Sequence, residues 1–182
     1  MEIEFIPGLP FEQGRLNVIV APARTFIDFF NETLNFQRFM TLYVCGNYSL
    51  VLNWIDKSMT QFDVQRAFNS YQLLTILREC SFSIVIVEHD PTLYEGGDEG
   101  DMIRFVSESM QDLAHSSLVI LFAPKMDDVL SRLLGHAKRY VFCGDEKMFV
   151  PQPRPLGPPV KKRLIGEKWC GQQTLNVTYS EG

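Results

Sequence analysis

SIVIVEHDPTLYE, residues 83 to 95, opens on an almost wholly apolar, β-branched run and closes in a polar turn. Such a run predicts a strand buried on both faces, as in a parallel sheet covered by helices. Downstream, DPTLYEGGDEGD reads as a loop, Met102 to Ala114 carries Ile103, Val106, Met110 and Leu113 at helical spacing, and Leu118 to Phe122 repeats the buried-strand pattern. Lys125 to Leu134 predicts another helix, with Asp127 and Asp128 complementing the dipole of its first turn. Upstream, Leu16 to Val20 is a short strand before Ala21-Pro22, and Thr25 to Phe36 spaces Phe26, Phe29, Phe30 and Leu34 as a helix does. Thr41 to Cys45 (TLYVC) predicts a strand ended by Gly46-Asn47, and Tyr48 to Ile55 a short helix or an irregular segment. Gln61 to Arg66 reads as a brief strand and Tyr71 to Arg78 as a helix with Leu73, Leu74 and Leu77 on one side. Strands alternating with helices define an α/β fold, a mostly parallel sheet flanked by helices in three layers. Residues 16–20, 41–45, 83–87 and 118–122 are expected to be its neighbouring central strands.

Further on, Arg139 to Cys143 and Lys147 to Val150 flank the turn sequence GDE, which predicts a hairpin. Five prolines between Pro151 and Pro159 then break regular structure, the basic run Lys161-Lys162-Arg163 follows, and QTLNVTY reads as a last strand. The chain thus divides into a core over 1–150 and a proline-rich, basic extension over 151–182. With 182 residues, 46% of them hydrophobic, it can bury one substantial core. No run approaches the roughly 18 apolar residues of a membrane span, and MEIEFIPGLP lacks the flank and h-region of a signal peptide, so a cytosolic protein with no membrane contact is expected. Cys45, Cys80, Cys143 and Cys170 are scattered without a CxxC pair, which points to buried thiols in place of a zinc site or disulfide framework. A net charge of −5 argues against a surface uniformly adapted to nucleic acid.

In this order the segments resemble the ATPase core of the RecA superfamily, and within it the RadA group of recombinases, over roughly residues 5 to 150. FDVQRAFNSYQLLTIL (62 to 77) is similar to a strand and helix that carry an Ala-Arg-Ala-Phe-Asn segment followed by a glutamine in RadA-like proteins; Arg66, Ala67, Phe68, Asn69 and Gln72 match. SIVIVEHDPTLYE stands where the family has its Walker B strand, with Glu88 in place of the strand-terminal Asp. The spacing to LVILFAP and the segment after Arg139 fit as well. The resemblance implies a RecA-like, P-loop NTPase type of sheet.

It also makes the departures legible. A phosphate loop of form GxxxxGK[ST] needs glycines so that successive amides curl round phosphate, a lysine for the outer phosphates and a hydroxyl for magnesium. The corresponding VIVAPARTFIDFF has no glycine, Pro22 removes a donor, and only Arg24-Thr25 stands as a distorted Lys-Thr equivalent. Where the family has a catalytic glutamate in a Thr-Glu-Gly context, this chain has Gly46-Asn47, and Asn47 is no general base. Two losses in one machinery predict a protein that does not turn over ATP, with Arg24, Thr25 and Glu88 as the residue of a degenerate nucleotide site and no cofactor.

Glu88, His89 and Asp90 cluster beyond a buried strand, a common place for functional groups, although a fold inherited from an ATPase keeps polar residues there anyway. No second cluster has ligand spacing, so no metal is assigned; His115 and His136 read as surface or capping residues. Family recombinases hold DNA with loops after the Walker B strand and the next core strand. Here the first, GGDEGD, is acidic and the second, Ala123 to Lys125, has one lysine. The remaining candidates for a weak nucleic-acid contact are Arg154, Lys161, Lys162 and Arg163. The expected function is therefore non-catalytic: binding a RecA-family recombinase-type partner or a second copy, as an accessory factor in DNA recombination or repair. The alternatives are residual nucleotide binding at a non-standard site and a scaffold unrelated to DNA. EFIPGLPF, with two prolines in an extended path, is the expected contact element, unless it caps its own sheet.

Overall fold

The computed structural model describes residues 2–6, 9–32, 38–55, 61–95, 99–135, 139–143, 165–169 and 173–179. Its strands are β1 (Glu2–Ile6), β2 (Leu9–Glu12), β3 (Leu16–Val20), β4 (Thr41–Cys45), β5 (Phe62–Arg66), β6 (Ile84–Glu88), β7 (Leu118–Ala123), β8 (Arg139–Cys143), β9 (Ile165–Trp169) and β10 (Gln173–Tyr179). Its helices are α1 (Ala23–Glu32), α2 (Ser70–Arg78), α3 (Glu99–Ala114) and α4 (Asp128–Leu134), with a 3-10 turn at Pro91–Tyr94. Strands β3 to β10 form one sheet in the order β5-β4-β6-β7-β3-β8-β10-β9. From β5 to β8 every neighbouring pair is parallel, while β10 pairs antiparallel with both β8 and β9.

The four central strands are therefore adjacent and parallel, and β3, β4, β6 and β7 are buried at every position. A strand covered on both faces cannot alternate with polar residues, which is why LNVIV, TLYVC, IVIVE and LVILFA read as near-continuous apolar runs. One face packs Val18, Val20, Leu42, Val85, Val87 and Leu121 under α2, α3 and α4. The other packs Ile19, Tyr43, Ile86 and Phe122 under α1, the β1–β2 hairpin and the segment around Val51 and Ile55. Helices on both sides of the parallel strands make this a three-layer α/β fold.

Helix boundaries follow their caps. Asn69, extended at φ −160°, accepts from the Gln72 N–H and starts α2. Asp127, extended at φ −140°, accepts from the Leu130 N–H, so α4 starts at 128 and not at Lys125. The segment 48–55, left open between helix and irregular chain, is a series of turns. The predicted end of the first helix, beyond Glu32, lies outside the described residues.

Two expectations are corrected. The hairpin across GDE cannot pair with Arg139–Cys143, because β8 already has β3 on one edge and β10 on the other; residues 144–150 lie outside the described set. The antiparallel hairpin of this end is β9–β10, so QTLNVTY is a strand as expected and returns to the main sheet. The N-terminal EFIPGLPF element forms its own two-stranded hairpin, with Ile3 opposite Phe11, and both side chains are buried in the core on the α1 face. It caps its own fold. Asn17, buried in β3, ties that hairpin down by donating to the carbonyls of Glu12, Arg15 and Val119. Among the described residues no helix is long and apolar enough to cross a membrane.

Candidate functional site

Parallel strands deliver the chain to one edge of the sheet, and α/β proteins place ligands there. In this molecule that edge carries the starts of five connections: Ala21–Thr25 after β3, Gly46–Ser49 after β4, Ala67–Asn69 after β5, His89–Asp90 after β6 and Pro124–Asp127 after β7. Glu88 is the last residue of β6 and shares strand parity with Ile84 and Ile86, which turn to the α1 face. It is 3% exposed. Its Oε2 accepts from the Tyr43 hydroxyl at 2.8 Å and from the Ser49 hydroxyl, and its Oε1 accepts from the Leu50 N–H at 2.8 Å. Burial, reinforced by the Glu88 carboxylate, pushes the Tyr43 hydroxyl far above the ordinary tyrosine value, so it stays a donor.

His89, one residue on, turns to the opposite face. Its Nε2 lies 2.9 Å from Asp127 Oδ2, while Nδ1 is buried with no hydrogen-bond partner. Burial pushes the Asp127 carboxyl up, and the hydrogen bonds from His89 and the Leu130 N–H outweigh it, holding it below the usual aspartate range. Asp127 thus does two jobs: it caps α4 and anchors the ring beyond β6. Asp90 caps the 3-10 turn by accepting from the Thr92 N–H and hydroxyl. Its other oxygen lies against Gly46 so closely that a Cβ there would sit 2.1 Å from it. A side chain at 46 would therefore have to displace the Asp90 carboxylate.

The expected nucleotide residues are not brought together. Arg24 reaches forward along its own helix to Asp28 at 3.0 Å, with its side chain 81% exposed, and Thr25 is half-buried in the first turn of α1. Neither is among the partners of Glu88, which are all residues of β4 and the turn after it. Asn47 contributes its carbonyl, which accepts from Arg66 Nη1 at 2.6 Å. Arg154, Lys161, Lys162 and Arg163 lie outside the described residues. Among the described residues no group of three His, Cys, Asp or Glu side chains is placed to hold a metal. Burial raises the thiols of Cys45 and Cys80 above the ordinary range, in Cys45 with help from Glu88, so neither is a poised nucleophile.

The sequence reading missed the partners: Tyr43 for Glu88 and Asp127 for His89. Tyr43 had a visible signal, since a hydroxyl in the middle of the buried run TLYVC needs an acceptor. Also missed was the exposed rim at β5. This strand ends the sheet, and all its residues after Phe62 are exposed, Val64 among them. Gln61 O and Ala67 N bond inward to β4, so by alternation Phe62, Val64 and Arg66 turn their N–H and C=O outward. Phe68 and Tyr71 stand exposed beyond its end.

Fold and site define a three-layer α/β protein whose strand-end carboxylates Glu88 and Asp127 are engaged with its own backbone and side chains. No family model matches the chain. A protein of Archaeoglobus fulgidus described as "Uncharacterized protein" is 31% identical over 166 residues, covering 90% of this chain and 83% of the archaeal one. The chain belongs to the same family as that archaeal protein.

Proposed function

We propose that this protein is a non-catalytic, RecA-like core that acts by binding another protein, a RecA-family recombinase in the first instance, in recombination or repair of DNA in the cytosol. The observation that carries the reading is the engagement of Glu88. A carboxylate at a Walker B position serves a nucleotide only if its oxygens face a metal or water, and here both accept hydrogen bonds from Tyr43, Ser49 and Leu50. The glycine-free turn at Ala21–Thr25 agrees, because it lacks the backbone freedom to wrap a phosphate. What the sheet does offer is the β5 edge, with which none of the described residues pairs on its outer side, with three residues' main-chain groups turned outward and apolar side chains at Val64, Phe68 and Tyr71. An edge of that kind accepts a partner's extended segment as an added strand.

The test is co-sedimentation of the full chain with the recombinase of the same cell. Wild type is expected to co-sediment at micromolar concentration. Val64→Pro removes an N–H that serves no bond within the sheet, so it is expected to leave the fold intact and abolish the complex. A wild-type chain that ignores the recombinase, or a Val64→Pro variant that binds as well as wild type, contradicts the reading.

A further inference from the structure

On the reading of the β5 edge as the docking surface, its side chains also specify the chemistry of what docks. Phe62 packs against Phe30 and Tyr43, with ring centroids 5.5 and 6.1 Å away, so it lies on the α1 face, and by alternation Val64 and Arg66 share that row. Asp63 and Gln65 fall in the other row with Ala67, which is buried in the cluster under α2. The two rows differ in charge. The α1 row offers Val64, 40% exposed, and the cation Arg66, whose guanidinium is tied to the Asn47 carbonyl. The α2 row offers the exposed carboxylate of Asp63, which has no hydrogen-bond or ion-pair partner among the described residues.

A strand added to this edge bonds through Phe62, Val64 and Arg66 and sets one residue opposite each residue of β5, with its side chain on the same face. Opposite Val64 an apolar side chain is favoured, because it covers an exposed apolar group. Opposite Asp63 a cation is favoured. In an antiparallel addition Phe62, Val64 and Arg66 form the hydrogen-bonded pairs, so Asp63 belongs to the other kind of pair, in which opposed side chains lie closest. Arg66 repels a cation in the α1 row, as Asp63 repels an anion in the α2 row. The segment that satisfies both rows therefore reads apolar, cationic, apolar opposite residues 62–64. A second copy of β5 cannot supply this. Joined antiparallel, outward groups meet outward groups, so Asp63 would face Gln61, Asp63, Gln65 or Ala67 and never Arg66. Charge complementarity thus selects a partner of different sequence over a second copy.

We propose that the β5 edge accepts an extended segment of another protein in which a lysine or arginine alternates with apolar residues, its cation pairing with Asp63 and its neighbouring apolar side chain covering Val64. The test is titration of the full chain with two capped peptides, Thr-Val-Lys-Val-Thr-Val-Thr and the same peptide with glutamate in place of lysine, followed through the amide resonances of Phe62, Val64 and Arg66. Wild type is expected to bind the lysine peptide roughly fivefold more tightly at low salt, with the ratio shrinking as salt rises. Asp63→Lys, at an exposed position, is expected to invert the preference, while Asp112→Lys, the same charge change on α3, is expected to keep it. Equal affinities for the two peptides overturn the proposal, as does a preference that survives Asp63→Lys or the absence of binding by either peptide. Self-association of the wild type that Val64→Pro abolishes, with neither peptide bound, also overturns it and gives the edge to a second copy. Failure here and failure of the recombinase reading are distinguishable. A recombinase bound through an edge that does not discriminate the peptides removes the charge rule alone, and a preferred lysine peptide with the recombinase ignored removes the recombinase alone.

Discussion

The two faces of the central sheet are built from different chemistry. Under α2, α3 and α4 the buried cluster is mostly aliphatic, Leu73, Leu77, Val106 and Leu130 with Val85 and Leu121, and Tyr94 its buried aromatic. On the α1 face they are aromatic: Phe26 stacks on Phe122 with ring centroids 4.1 Å apart, and Phe11, Phe29, Phe30 and Tyr43 surround them. Among the described residues three helices cover the first face, whereas one helix, a hairpin and a turn cover the second. Helices satisfy their own backbone, but hairpins and turns at a sheet surface need polar anchors. Buried Asn17 and Glu88, both belonging to strands of the sheet, anchor the hairpin and the turn on the α1 side. The lesson is that a polar residue in an apolar strand marks what kind of element lies over it.

That comparison breaks most readily at the aromatic stack. Phe26→Ala is expected to cost about 3–5 kcal/mol in chemical denaturation, against about 2–5 for Leu73→Ala on the helical face, because the lost ring leaves the larger cavity. Equal costs for the two would mean that the aromatic face is no more tightly packed than the aliphatic one. Glu88→Ala comes next. It leaves the buried Tyr43 hydroxyl without its acceptor, at a cost of roughly 1–3 kcal/mol, and frees the part-buried Ser49 hydroxyl and Leu50 N–H as well, while Glu88→Gln keeps an acceptor and loses less. Amide exchange at Leu50 should accelerate in Glu88→Ala and stay slow at Leu73; acceleration at both sites would show a global effect in place of a released turn.

Gly46→Ala places a methyl on Asp90 and is expected to cost about 1–3 kcal/mol by overpacking. Pairing it with Asp90→Ala should recover most of that loss, measured as a double-mutant cycle. The smallest effect is at the helical face. Asp127→Ala removes the α4 cap, worth roughly 0.5–2 kcal/mol. Because the folded-state carboxyl is held below the usual value, its contribution is complete above the ordinary aspartate value of 3.8 and fades as pH falls below it. Stability curves of wild type and Asp127→Ala should therefore converge in acid and part as pH rises; a constant gap would show that the carboxyl's charge is irrelevant.

How much of this the sequence revealed follows from range. The four central strands were legible because burial on both faces writes itself into each run locally; the caps Asn69 and Asp127 were not read, Asp127 being placed inside the first turn of a helix expected from Lys125. The hairpin expected over 139–150 was misread for the converse reason: GDE is a local turn signal, but the partner of β8 is set by the distant segment 173–179. Glu88, His89 and Asp90 were read as one cluster, and the structure divides them between the two faces of the sheet. Their opposite directions, and the partners Tyr43 and Asp127 at separations of 45 and 38 residues, depend on tertiary contacts that no local pattern encodes. Arg24 and Thr25 were chosen by resemblance to a phosphate loop, and the i,i+4 pairing of Arg24 with Asp28 was available in the sequence as the simpler reading.

The central claim is that the strand-end carboxylate serves the fold and not a nucleotide. It is tested most directly by titrating the full chain with magnesium ATP in a calorimeter while following phosphate release, in wild type and Glu88→Gln. The account predicts no saturable binding below millimolar ATP and no release that differs between the two proteins. Saturable binding with release that Glu88→Gln abolishes, in a variant whose circular dichroism matches wild type, would contradict it.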